Sequence, residues 1–153
     1  MLRMSKLTDY GTLVLAQLAA SEGRLASAHQ VSMDTHLSLP TVSKLLKSLV
    51  RAGLAVSQRG ARGGYALSRP AEKISAAEIL DALEGPLAIT ECSSAPGLCG
   101  LESSCLVGAA WQRINVSIRE ALDEVSLADL QQPAGPNLPP DRWKHAIRQS
   151  INH

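Results

Sequence analysis

Cys92, Cys99 and Cys105 are the only thiols of the chain, and they stand in a C-x6-C-x5-C arrangement within a stretch rich in glycine and serine. A thiolate is a nucleophile and a soft metal ligand, so three of them within one short segment point to metal or redox chemistry. The tight C-x2-C knuckle of structural zinc sites is absent. Wider spacing lets the thiolates come round a larger object, and an iron–sulfur cluster, 2Fe–2S or 4Fe–4S, fits that description. Such clusters generally want four protein ligands, and the fourth is missing locally. Residue type leaves Asp9, Glu91, Glu102, His29, His36 and His145 as candidates. A zinc site, a thiol redox switch and three plain reduced thiols in a loop stay open as alternatives.

A second constellation suits recognition rather than bond-making. Ser38, Pro40, Thr41, Ser43, Lys44 and Lys47 fall in a helical pattern whose apolar stripe is Val42, Leu45, Leu46, Leu49 and Val50. An α-helix fits the DNA major groove. Small polar groups near its start meet base edges, and lysines further along neutralise phosphates. The run Gln58-Arg59-Gly60-Ala61-Arg62-Gly63-Gly64 follows. Its glycines permit a close approach to a nucleic-acid backbone, and Arg59 and Arg62 suit a narrow minor groove. Charge is distributed accordingly: up to Pro70 there are nine Lys and Arg against three Asp and Glu, a net of +6 in a chain whose total is +1. Residues 71–153 carry six basic and eleven acidic residues, a net of −5. A basic half joined to an acidic half suggests a polyanion-binding module with a differently employed partner segment.

The elements that must position these groups follow from periodicity and caps. Thr8 is the predicted N-cap of a first helix containing Tyr10, Leu13, Val14 and Leu18 and ending near Glu22-Gly23. Ser27 caps a short second helix from Ala28 to about Thr35. A third has Pro40 in its first turn, runs to Arg51 and is stopped by Gly53. Alternation predicts strands at Leu54–Ser57 and Tyr65–Ser68 joined by the basic tip. Ser75 and Glu78 form a capping box for a helix that ends at Gly85-Pro86. Two short helices across a tight turn, followed by a hairpin, read as a winged helix-turn-helix; an ordinary helical hairpin with a solvated basic face is the plainer alternative. Later, Val107, Trp111, Ile114, Ile118, Ala121 and Val125 step by 4, 3, 4, 3 and 4, a seam that pairs helices. That helix is close to 30 Å long, and Ser126–Leu130 adds a short capped turn. The fold class is therefore mainly α. Residues 1–85 form the winged helix-turn-helix, 86–105 the cysteine loop, 106–130 the dimerisation helix and 131–153 a proline-rich linker and tail.

Composition removes other classes. With 45% hydrophobic and 19% charged residues, 153 residues can bury a core, so wholesale disorder is excluded. No apolar run approaches the ~18 residues of a membrane span. Asp9 and Gln17 spoil the N-terminal stretch as a signal peptide, and the cytoplasm is the expected compartment. No Ser/His/Asp set, phosphate loop or placed carboxylate pair suggests an enzyme.

The opening Leu2-Arg3-Met4-Ser5-Lys6-Leu7-Thr8-Asp9-Tyr10, the stretch Leu37-Ser38-Leu39-Pro40 to Gly53-Leu54, the wing Arg59-Gly60-Ala61-Arg62-Gly63-Gly64-Tyr65 and the three spaced cysteines together resemble the Rrf2 family of winged-helix transcription regulators. The resemblance covers about residues 1–130. It is to the IscR- and NsrR-like members, closest to the branch that regulates the SUF iron–sulfur assembly system. It implies a homodimer whose long helices cross, with two winged domains on successive turns of a pseudo-palindromic operator in double-stranded DNA. It also implies a cluster on Cys92, Cys99 and Cys105, making the protein a repressor or redox sensor of cluster status, oxidants or nitric oxide. IscR-like members place a histidine just after the last cysteine, where this chain has Gly108. NsrR-like members take an aspartate from the first helix of the other subunit, and Asp9 stands at the matching place. Its plainer role is a favourable acid in a first helical turn. A zinc- or thiol-sensing winged-helix regulator and a cluster carrier that binds no DNA are the alternatives.

Overall fold

A computed structural model describes residues 5–90, 100 and 105–132. Helix α1 (Lys6–Ala20) starts earlier than its expected cap at Thr8, because Ser5 takes that role, its Oγ accepting from Leu7 N. The reason lies at the end of a later helix of the same domain. The Glu84 carboxylate accepts from Ser5 N, Ser5 Oγ and Thr8 Oγ1, so one acid holds both hydroxyls at the helix start. Helix α2 (Ala28–Thr35) is capped by Ser27, and the chain leaves it through His36 in the left-handed region, φ 57°. Ser32 Oγ donates to Leu37 O at 2.7 Å and fixes the turn. Helix α3 (Leu39–Arg51) follows at once, capped by Ser38.

Gly53, at φ +77°, ends α3. Its N–H bonds Val50 O at 3.1 Å, while Leu54 N bonds Leu49 O at 2.9 Å, which satisfies the last carbonyls in the six-to-one and five-to-two pattern of a glycine stop. Strands β1 (Ala55–Gln58) and β2 (Gly64–Leu67) pair antiparallel from Ala55 opposite Leu67 to Gln58 opposite Gly64. Ala26 unexpectedly joins this sheet, exchanging two hydrogen bonds with Tyr65 at 2.9 and 2.8 Å. The close approach needs Gly64, since a Cβ there would lie 2.7 Å from Ala26 O.

After a 3-10 turn at Ala71–Lys73, helix α4 (Ala76–Glu84) opens with the Ser75–Glu78 capping box and stops at Gly85, φ 91°. Helices α5 (Gly108–Asp123) and α6 (Leu127–Gln131) complete the described fold, the latter opened by a Ser126–Asp129 box. One core holds it together: Val14, Leu15 and Leu18 from α1, Val31 from α2, Val42, Leu45, Leu46 and Leu49 from α3, with Leu54, Ile74, Ile79 and Leu127. Leu127 is wholly buried, so the short α6 pins the distal end of α5 to the core of the reading head. This is the expected mainly α winged helix-turn-helix. Of the cysteine loop expected over residues 86–105, residues 86–90, Gly100 and Cys105 lie within the described residues.

Candidate nucleic-acid interface and metal centre

The buried stripe of α3 leaves Pro40, Lys44, Lys47 and Arg51 exposed at steps of 4, 3 and 4, one continuous outer face. Thr41 and Ser43 are half-buried beside it. Ser38 is exposed, but its Oγ is shared between Thr41 N at 3.4 Å and Thr41 Oγ1 at 2.7 Å, so both hydroxyls also serve the helix start. Leu39, given no role by sequence, is 42% exposed at the first position of this helix. Arg59 and Arg62 are exposed at the wing tip, whose turn is closed by Gly63 N donating to Gly60 O at 2.9 Å. A side chain at Gly63 would overlap Gln58 O. Among the described residues Lys44, Lys47, Arg51, Arg59 and Arg62 make no ion pair, so their charge is available to a polyanion.

Arg69 is different, although it counts towards the basic half. Its guanidinium is ion-paired with Glu78, and Nε donates to Lys73 O at 2.9 Å. Burial alone would raise the Glu78 pKa; the Ser75 N–H and the Arg69 guanidinium outweigh that and hold it below the ordinary carboxylate value.

Helix α5 is fastened to α4 and to the segment that follows it by polar contacts on one side. Asn115 Nδ2 donates to Leu87 O and its Oδ1 accepts from Ile89 N, at 3.3 and 3.2 Å. Arg119 pairs with Asp81 through two hydrogen bonds, at 2.7 and 3.2 Å, which push its own pKa upward. Ser75 Oγ donates to Asp123 at 3.0 Å. At about 100° per residue, this stripe is turned roughly a third of the circumference from the predicted seam. On the seam Val107, Trp111 and Ile114 are 58%, 41% and 44% exposed, Ala121 is exposed, and Ile118 and Val125 are half-buried.

Of the four predicted metal ligands, Cys92 and Cys99 lie outside the described residues. Cys105 is half-buried just ahead of α5, its Sγ near Gly108. Asp9 is exposed on the first turn of α1. It borders an apolar groove of about 450 Å³ together with Thr8, Thr12, Ile79, Leu122 and Leu130. Gly108 and Leu122 are separated by about 21 Å along the helix at 1.5 Å per residue, so Asp9 and Cys105 of one chain sit towards opposite ends of α5. Among the described residues no three His, Cys, Asp or Glu side chains converge on one point. Three thiolates and one carboxylate form a sulfur-rich donor set of the kind iron–sulfur clusters take. His29 and His36 belong to α2 and its exit turn, on the reading head.

The chain matches the Rrf2 family, described as iron-dependent transcriptional regulators, over residues 4–133. It belongs to the Rrf2 family. Against the HTH-type transcriptional regulator IscR of Cereibacter sphaeroides it is 34% identical over 120 residues, 77% of this chain and 76% of that one. Its fold is similar to that of CymR, the global cysteine regulator of B. subtilis, with a TM-score of 0.63 and 32% identity over 85% of this chain and 96% of the other. It is likewise similar to T. potens IscR, with a TM-score of 0.60 and 30% identity over 88% and 94% of the two chains. This Rrf2-family protein is thus a DNA-binding transcription regulator, and the regulators it resembles are not enzymes. Among the described residues no helix is long and apolar enough to cross a membrane.

Proposed function

We propose that this Rrf2-family protein is a cytoplasmic, homodimeric repressor whose grip on a pseudo-palindromic operator depends on an iron–sulfur cluster. The reading rests on one observation above all: α5 carries an uncovered apolar seam at the end where Cys105 stands, and its other end is bolted to the DNA-reading core. Ser38, Thr41 and Ser43 face bases with Pro40 beside them at the DNA, Lys44 and Lys47 bind phosphates, and Arg59 and Arg62 enter the minor groove. Val107, Trp111, Ile114, Ile118, Ala121 and Val125 pair with the same residues of a second copy, as a two-fold axis requires. Cys92, Cys99 and Cys105 of one subunit and Asp9 of the other hold the cluster. When bound, it supplies a centre that oxidants, nitric oxide or iron shortage can remove. Cys105 adjoins the N-terminus of α5, so a change in what the thiolates hold alters how the two helices meet. The two heads must match half-sites about 34 Å apart, and small misalignment costs base and phosphate contacts on both. The test compares operator binding by cluster-loaded and cluster-free protein across a salt series. Distinct affinities with a steep salt dependence support the proposal; equal affinities overturn the switch. The similarity to CymR, named as a global cysteine regulator and also solved from Staphylococcus aureus in an oxidized form, supports a second reading, the same regulator sensing through free thiols or zinc.

A further inference from the structure

Arg69 lies between the wing and α4, and its bonds reach three separate elements. Nη1 donates to Gly53 O at 3.4 Å, the carbonyl immediately after α3. Nε donates to Lys73 O in the 3-10 turn, and Nη2 holds Glu78 on α4. Gly53 O also accepts from Ser68 Oγ at 2.6 Å, so the end of the recognition helix and the base of the wing share one acceptor. The chain of contacts continues: Glu78 Oε2 accepts from Ser75 N, and Ser75 Oγ donates to Asp123 on α5. A planar fork with fixed donor directions can bridge three acceptors at once, whereas an ammonium is a point charge on a flexible stem.

We infer that Arg69 is a positioning residue for operator recognition: it touches no DNA, but fixes the recognition helix, the wing and α4 in one relative placement. This inference rests on the winged-helix reading of DNA binding and goes beyond it by giving Arg69, one of the charges of the basic half, a role away from the phosphates. Random-sequence DNA, bound through charge alone, tolerates a shift of wing against helix; a matched operator does not.

The experiment measures binding of full-length wild-type, Arg69→Lys, Arg69→Ala and Glu78→Gln proteins to two duplexes. One is selected by the wild type from a random library, and the other is a random-sequence duplex of equal length. Circular dichroism and thermal melting first establish folding. Expected is a loss of roughly tenfold on the selected duplex for all three variants, unchanged binding to the random duplex, and a salt slope equal to wild type. Arg69→Ala and Glu78→Gln combined should lose little more than either alone, since they break one unit. If Arg69 is instead a phosphate contact, Arg69→Lys binds like wild type, while Arg69→Ala weakens both duplexes and lowers the salt slope by about 0.9 per contact. That result, or unchanged selected-duplex binding in Arg69→Lys and Glu78→Gln, overturns the inference. If Arg69→Ala does not fold, the lysine and glutamine variants decide it alone. A wild type that selects no sequence would count against the DNA-reading proposal itself, which separates the two failures.

Discussion

Glu84 shows how a single side chain ties distant parts of the chain together. Hydrogen bonds from Ser5 and Thr8 hold its carboxyl below the ordinary carboxylate value, and through them the end of α4 secures the start of α1, where Asp9 stands. Glu78 and Asp129 are lowered in the same direction by the partners of their capping boxes, Glu78 also by Arg69. A carboxylate whose folded pKa is depressed adds stability above its unfolded pKa and loses it as pH falls through the folded value. The thermal midpoint should therefore decline as the solution is acidified below about pH 4.5, and Glu84→Gln should flatten part of that decline in melts recorded across the range. Gly11 makes a second residue-scale prediction, because a methyl group there would overlap the Leu83 side chain where α1 meets α4. Gly11→Ala should destabilise by about 1–2 kcal/mol in denaturant titrations, the overpacking outweighing the gain in helix propensity. Neither contact was legible in the sequence. Thr8 looks like the better cap because it stands next to the apolar periodicity, and nothing local announces that an acid 76 positions away collects both hydroxyls.

At the scale of elements, strong local signals translated directly. Ser27, Ser75 and Ser126 cap helices as their spacing implies, and Gly53 terminates α3. What sequence pattern omitted is non-local pairing: the bridge from Ala26 to Tyr65 stitches the entry of α2 to the wing, and a single-residue bridge leaves no periodicity to read. The basic count of the first half was legible, but the pairing of Arg69 with an acid of the second half was not. Helix α3 offers Lys44 and Lys47 without ion-pair partners among the described residues. In a dimer each Lys→Ala change removes two phosphate contacts, so the slope of log affinity against log salt should fall by about 1.8 for each, measured on any duplex. Helix α5 carries its own prediction. Trp111→Asp or Ile114→Asp, on the uncovered seam, should weaken dimerisation by more than roughly tenfold in sedimentation experiments while leaving the fold of the head intact. A persistent dimer in both variants would mean that another surface joins the subunits.

For the whole molecule, α5 and α6 matter because they join the cysteine segment to the DNA-reading core through Arg119, Asp123 and the buried Leu127. The family was legible from four short motifs because each is fixed by local chemistry. The proposed fourth ligand, Asp9, cannot be read from spacing, since its position relative to Cys105 depends on tertiary and quaternary arrangement. The separation of these two residues along α5 makes a specific expectation: Asp9→Ala should reduce cluster content or stability and shift its absorption spectrum, without altering binding to random-sequence DNA. The most direct measurement is iron, sulfide and zinc analysis, with an absorption spectrum, on a single anaerobically purified sample. Iron with matching sulfide and a visible charge-transfer band is the predicted result. Zinc alone, or no metal after attempted reconstitution, would contradict cluster sensing and leave a winged-helix regulator that answers to thiol chemistry or another ligand.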